Sequence, residues 1–218
     1  KKNKIIISSS EDVSDRAGTN TTRFRPRSYW EYDLKTNRRK MLMRGKLAMG
    51  RVSFNSNGVA THASGFDFRT RDQTFYWRPK GTTEWREMYR LSDDSFERFI
   101  PIGPDPVAEN HFLVLAHNGY DTLGLWSFNA DTQAFSETVY RRNDVDVAFP
   151  FAHSNRLSNP DEVAGISWCK DKCHREFFDG QEAALHKQLE TLIPNADQVR
   201  ISGRSRDGNT LVVSNSGP

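Results

Sequence analysis

Cysteine is scarce in this sequence, and neither charge nor hydrophobicity is concentrated anywhere along it. Only two cysteines occur in 218 residues, Cys169 and Cys173, with His174 next to them. Zinc needs four ligands in a tetrahedron and no second Cys/His pair lies nearby, so no metal is expected. The two thiols are left as either a cross-turn disulfide or a free pair. No apolar run approaches the roughly 18 residues of a membrane span. Lys and Arg number 31 against 28 Asp and Glu, a net charge of +3 with the signs interspersed, so neither nucleic acid nor membrane is an expected partner. The start, KKNKIIISSS, has three isoleucines where a signal peptide needs a long apolar core, and it lacks an initiator Met. The expectation is a fragment cut from a longer, soluble protein, periplasmic or cytoplasmic.

What is present suffices for a packed core: 36% of residues are hydrophobic and 11% aromatic. The most complete pattern is Leu123 to Arg142, LGLWSFNADTQAFSETVYRR. Trp126 and Phe128 fall on one face of its first arm and Leu123 and Leu125 on the other, so this strand expects burial on both sides. Asn129, Asp131 and Thr132 supply side chains that reverse a chain by bonding nearby amides, and Ala134 to Tyr140 forms the return arm.

Weaker copies recur. Tyr29 to Met43 turns at Lys35-Thr36-Asn37, Thr74 to Arg90 turns at Pro79-Lys80-Gly81, and Val163 to Phe178 has a charged turn. A short strand is expected at Lys4 to Ser8, a long polar loop over Ser9 to Ser28, and tight turns at Asn57-Gly58 and Asp207-Gly208. Trp30, Trp77, Trp126 and Trp168 are separated by 47, 49 and 42 residues. Repeats of roughly 40 to 50 residues with about four short strands each match β-propeller blades. A β-sandwich is the competing architecture, but it does not require this spacing. The expected fold is all-β, a partial propeller of about three to four blades occupying residues 1–218 as one segment. Asp179 to Ile193 breaks the pattern: Leu185, Leu189 and Leu192 have helical spacing, Asp179 and Glu182 form a capping pair and Pro194 is a stop, so a helix is expected near 180–193.

Candidate chemistry is thin. Ser205 in Gly203-Arg204-Ser205-Arg206-Asp207 approaches a nucleophile elbow but has Asp where the second Gly belongs, and a β-turn follows in place of a helix. The basic stretches Arg23 to Arg27 and Arg38 to Lys40 read as a solvated loop and turn. Asp93, Asp94, Asp121, Asp144 and Asp146 show no spacing that marks an acid/base pair.

Taken in order, YWEYDLKTNRRKML, FYWRPKGTTEWREMYR, LGLWSFNADTQAFSETVYRRNDVDV and VAGISWCKDKCHREFFDGQEAALHKQL, with LIPNADQVRISGRSRDGNTLVVSNSGP, resemble the N-terminal β-propeller of bacterial prolyl-oligopeptidase-like (family S9) serine peptidases. The resemblance covers nearly the whole chain, and its most specific part is the helix between Phe178 and Pro194 with the turn that follows. It implies a propeller that covers an α/β-hydrolase domain and admits short peptides. The catalytic Ser, Asp and His of such peptidases lie on that other domain, so no catalytic, cofactor-binding or metal residue carries over and this chain alone is not expected to be an enzyme. Glu182 and Glu190 are too far apart to hold a peptide N-terminus as aminodipeptidases of the family do. The expected partners are the C-terminal hydrolase domain, a short peptide substrate, and a second copy of the chain through open blade edges.

Overall fold

In the computed structural model, residues 3–10, 27–45, 49–67, 69–156 and 158–216 are described. Their order is β1 (Lys4–Ser10), β2 (Arg27–Asp33), β3 (Arg38–Arg44), β4 (Arg51–Phe54), β5 (Ala60–Phe66), β6 (Gln73–Trp77), β7 (Arg86–Leu91), β8 (Phe99–Pro104), β9 (His111–Ala116), β10 (Gly124–Asn129), β11 (Ala134–Tyr140), β12 (Ala148–Ala152), β13 (Val163–Cys169), β14 (Cys173–Phe177), α1 (Gly180–Leu192), β15 (Val199–Arg204) and β16 (Leu211–Asn215). Among the described residues the fold is all-β with one helix. The loop expected over Ser9 to Ser28 falls mostly outside the described residues.

Among the described residues every paired strand is a neighbour in sequence of its partner, giving five successive meanders: β1-β2-β3, β4-β5-β6-β7, β8-β9-β10-β11, β12-β13-β14 and β15-β16. Two of these sheets have four strands. By contact density the chain divides into two units, Lys1–Val114 with Ser127–Glu137, and Leu115–Trp126 with Thr138–Pro218.

Two kinds of turn repeat. In the first, a carboxylate or amide oxygen accepts two backbone N–H groups and a residue of positive φ closes the loop. Asp33 Oδ1 accepts from Lys35 N and Thr36 N at 2.9 and 3.1 Å; Asp67 Oδ1 accepts from Arg69 N and Thr70 N at 2.8 and 3.5 Å; Asn129 Oδ1 accepts from Asp131 N and Thr132 N, both at 3.0 Å. Asn37, Arg71 and Gln133 follow at φ 57°, 62° and 55°, a left-handed conformation that costs a non-glycine residue about 1 kcal/mol. In the second kind, glycine takes that conformation. Gly58 N donates to Asn55 O and Gly208 N to Ser205 O, at 2.8 and 2.9 Å, with φ 74° and 77°. Both tight turns expected from the sequence are present.

In the first unit, aromatic rings join successive sheets. Tyr29 of β2 lies 5.2 Å from Phe54 of β4, and its hydroxyl accepts from Val52 N. Phe99 of β8 stacks on Tyr89 of β7 at 4.3 Å and meets Phe128 edge-on at 4.9 Å. Trp77 and His62 both lie roughly perpendicular to Phe112, at 6.1 and 5.8 Å. Each such ring pair contributes about 1 kcal/mol beyond its buried area. β10 is divided between the units, Leu125 and Trp126 belonging to the second and Ser127 and Phe128 to the first; all four are buried, as the two-faced hydrophobicity of that strand required. β11 beside it is the last strand of its sheet.

In the second unit, Phe178 is 6.4 Å from Tyr140, and Phe151 meets Phe177 at 5.2 Å. Gly165 is demanded at the centre of β13: a Cβ there would strike Glu176 O and the Phe151 ring. Helix α1 begins as expected, with Asp179 Oδ1 accepting from Glu182 N at 2.7 Å, and ends before Pro194, where Ile193 N donates to Leu189 O. Its buried face differs from the expectation. Leu192 is 76% exposed, whereas Glu182 and His186, one turn apart, are buried.

Candidate functional site

Cys169 and Cys173 sit opposite each other where β13 and β14 meet and form a disulfide. The bridge settles the alternative left open by the sequence and removes both sulfurs from metal ligation. Ser205 is part of a turn: its Oγ donates to Asp207 Oδ1 at 2.6 Å and accepts from Thr210 N at 2.9 Å. Strand β16 follows it, without the helix that a nucleophile elbow needs. Asp207 is held below the usual carboxylate range chiefly by that serine hydroxyl.

The carboxylates are dispersed. Asp93 pairs with Arg71 at 3.1 Å, Asp94 accepts from Ser92 Oγ, Asp146 accepts from Leu123 N, and Asp121 is exposed. Arg38 to Lys40 belong to β3, with the Arg39 guanidinium 4.8 Å over Trp30. Residues 23–26 of the other basic stretch lie outside the described residues. Glu190 is exposed while Glu182 is buried.

Two side-chain clusters do form, both in the second unit. The first is a surface platform at the charged turn. The Arg142 guanidinium lies 3.7 Å from the centroid of Trp168. The His174 ring stacks on Trp168 at 4.2 Å and 20°, because the two residues are cross-strand partners in the β13-β14 ladder. Asp144 fixes the guanidinium through two bonds, to Nε at 3.0 Å and Nη2 at 3.1 Å. Those hydrogen bonds hold the Asp144 carboxyl low and raise the Arg142 guanidinium. Lys170 and Lys172 occupy the turn itself, with looser contacts to Asp144 at 3.7 Å and Asp197 at 3.8 Å. Together with Asp171 these residues line an open concavity of about 510 Å3. Arg142 enters the sequence as the end of one hairpin and Trp168 as a repeat marker. Only the fold brings them together.

The second cluster gathers around the buried Glu182. Ser154 Oγ donates to Glu182 Oε1 at 2.6 Å and accepts from Arg204 Nη1 at 3.2 Å, while Ser154 N donates to Glu182 Oε2 at 3.3 Å. His153 lies 3.7 Å from both Glu162 and Glu182. The Glu182 side chain, expected to complete a capping box on its own helix, is thus spent on the segment after β12 and on β15. One turn along, His186 packs against Phe177 at 4.7 Å. Burial, then the nearby Arg175, pushes its imidazole below the usual range. Buried charges must be paired to be tolerated, and here the pairing ties the helix to its neighbours. A serine whose hydroxyl is engaged on both sides by Glu and Arg serves as a joint.

Among the described residues no group of three or more His, Cys, Asp or Glu is arranged to hold a metal ion, and no helix is long and apolar enough to cross a membrane. Comparison with protein-family models, curated proteins and solved structures finds no match for this chain.

Proposed function

We propose that this chain is a non-catalytic part of a β-propeller of the prolyl-oligopeptidase-like kind, a wall that gates the access of short peptides to an α/β-hydrolase domain of the same polypeptide. The observation that carries the reading is the succession of sequence-adjacent meanders, joined sheet to sheet by aromatic contacts such as Tyr29 with Phe54 and Tyr89 with Phe99. Blades of a propeller are meanders of this type packed face to face in chain order. The mechanism is steric. Stacked sheets make a rigid wall that a flexible peptide can pass and a folded protein cannot, and no residue of the wall need touch the scissile bond.

The purified chain is expected to leave peptidyl and ester reporters uncleaved, and turnover with covalent labelling of Ser205 by a serine-directed inhibitor would overturn the reading. The polypeptide carrying this segment is expected to hold a G-x-S-x-G between a strand and a helix, followed in order by Asp and His. A second reading, a stand-alone propeller module that binds a protein or glycan, is favoured by the Arg142–Trp168–His174 platform. A polypeptide without the hydrolase motif would decide for it.

A further inference from the structure

The platform at the end of β13 and β14 is more than the wall requires. A turn needs no tryptophan held between an arginine and a histidine, and two lysines at its tip are not needed to reverse the chain. The concavity is lined by Arg142, Lys170 and Lys172 against Asp144 and Asp171, so it carries an excess of one positive charge before His174 is counted. The Asp144 carboxylate is already committed to Arg142. The two lysine side chains are 60% and 75% exposed, with long ion contacts to Asp144 and Asp197, and are available to an incoming anion. His174 offers a ring N–H in either tautomer. The Cys169–Cys173 bridge closes the turn at its base, and the stacked guanidinium is fixed before any ligand arrives. Among the described residues the ladder partner of β14 is β13, with the Arg175 side chain donating to Val199 O of β15 at 2.8 Å, so the start of β14 presents an edge to which an extended backbone can add.

From this we infer that the turn is a docking site for an acidic stretch of an extended peptide, with a carboxylate side chain received by Lys170, Lys172 and His174 and the peptide backbone laid beside the start of β14. The inference rests on the proposed function to the extent that the chain is held to meet extended peptides, and it specifies which of them the wall retains. Charge complementarity of this exposed kind acts mainly on recognition and association rate and weakens with salt.

The test is fluorescence anisotropy of the chain with a labelled hexapeptide of alternating Glu and Val, beside its counterpart in which Gln replaces Glu. The Glu peptide is expected to bind more tightly than the Gln peptide, with a difference that shrinks between 50 and 300 mM NaCl. K170A/K172A should weaken it about tenfold, while K35A on the β2-β3 turn leaves it unchanged. Equal binding of the two peptides, or equal binding by K170A/K172A, would overturn the site. Displacement of the Glu peptide by an equal concentration of free glutarate would show recognition of a carboxylate alone and overturn the peptide assignment. These outcomes are independent of the hydrolase motif, whose absence would remove the gating role and leave the site standing.

Discussion

His62 makes stability depend on pH in a way that can be worked out from its surroundings. It lies on the central strand β5 at 9% exposure, with its ring roughly perpendicular to Phe112 and its Nδ1 3.1 Å from Thr61 Oγ1. Burial pushes its imidazole down to about 4. In the unfolded chain the same group titrates near 6.5, so between these values the unfolded state binds a proton that the folded state refuses. Stability is then fully present above about pH 6.5 and is lost as the pH falls toward 4. The linkage amounts to about 2 kcal/mol at pH 5 and about 3 kcal/mol at pH 4. Guanidinium-induced unfolding of the natural chain and of His62→Leu, each at pH 7 and pH 5, isolates this contribution, since His186 and the carboxylates titrate in both. The natural chain is expected to lose about 2 kcal/mol more than the variant over that interval. Parallel losses in the two chains would refute the reasoning, as would a His62 ring resonance that titrates near pH 6.5.

Glu182→Ala leaves the Ser154 hydroxyl without its acceptor and removes the carboxylate nearest Arg204, so it is expected to cost about 3 kcal/mol. The effect should show as faster amide hydrogen exchange throughout α1, and unchanged exchange would refute the joint. Gly165→Ala drives a methyl into Glu176 O and the Phe151 ring and is expected to lower stability by about 2 kcal/mol, measured as a drop in denaturation midpoint. Gly81→Ala is the comparison for which strain comes from φ alone, since nothing stands within 4 Å of its added carbon.

Local features were legible in the sequence and long-range ones were not. The turns at Asn129 and at Lys35-Thr36-Asn37 and the cap at Asp179 are legible because donor and acceptor lie within a few residues, although the part of Asp33 in the second turn is seen only in the structure. The burial of β10 on both faces could be read from Leu125 and Phe128. The buried face of α1 departs from its leucine spacing for a physical reason. Leucine spacing favours Leu192, but the half-buried Ser154 and Arg204 of other elements offer Glu182 its partners, and satisfying that charge turns the Glu182–His186 side inward. Ser154 and Arg204 stand 28 and 22 residues from Glu182 along the chain, where no periodicity reaches. Arg142 and Trp168 are hidden for the same reason. For the cysteines, the four-residue separation allowed a bridge, and it took the strand register to select it.

Because the ladder partners of each strand among the described residues are its neighbours in sequence, loop-closure entropy is small for every hairpin after β2, and each meander can form before the next exists. A segment emerging from the ribosome can therefore fold progressively, sheet after sheet, without waiting for a distant partner. The same arrangement lets a gene gain or lose one whole sheet between β3 and β4, or between β7 and β8, without cutting a single hydrogen-bond ladder.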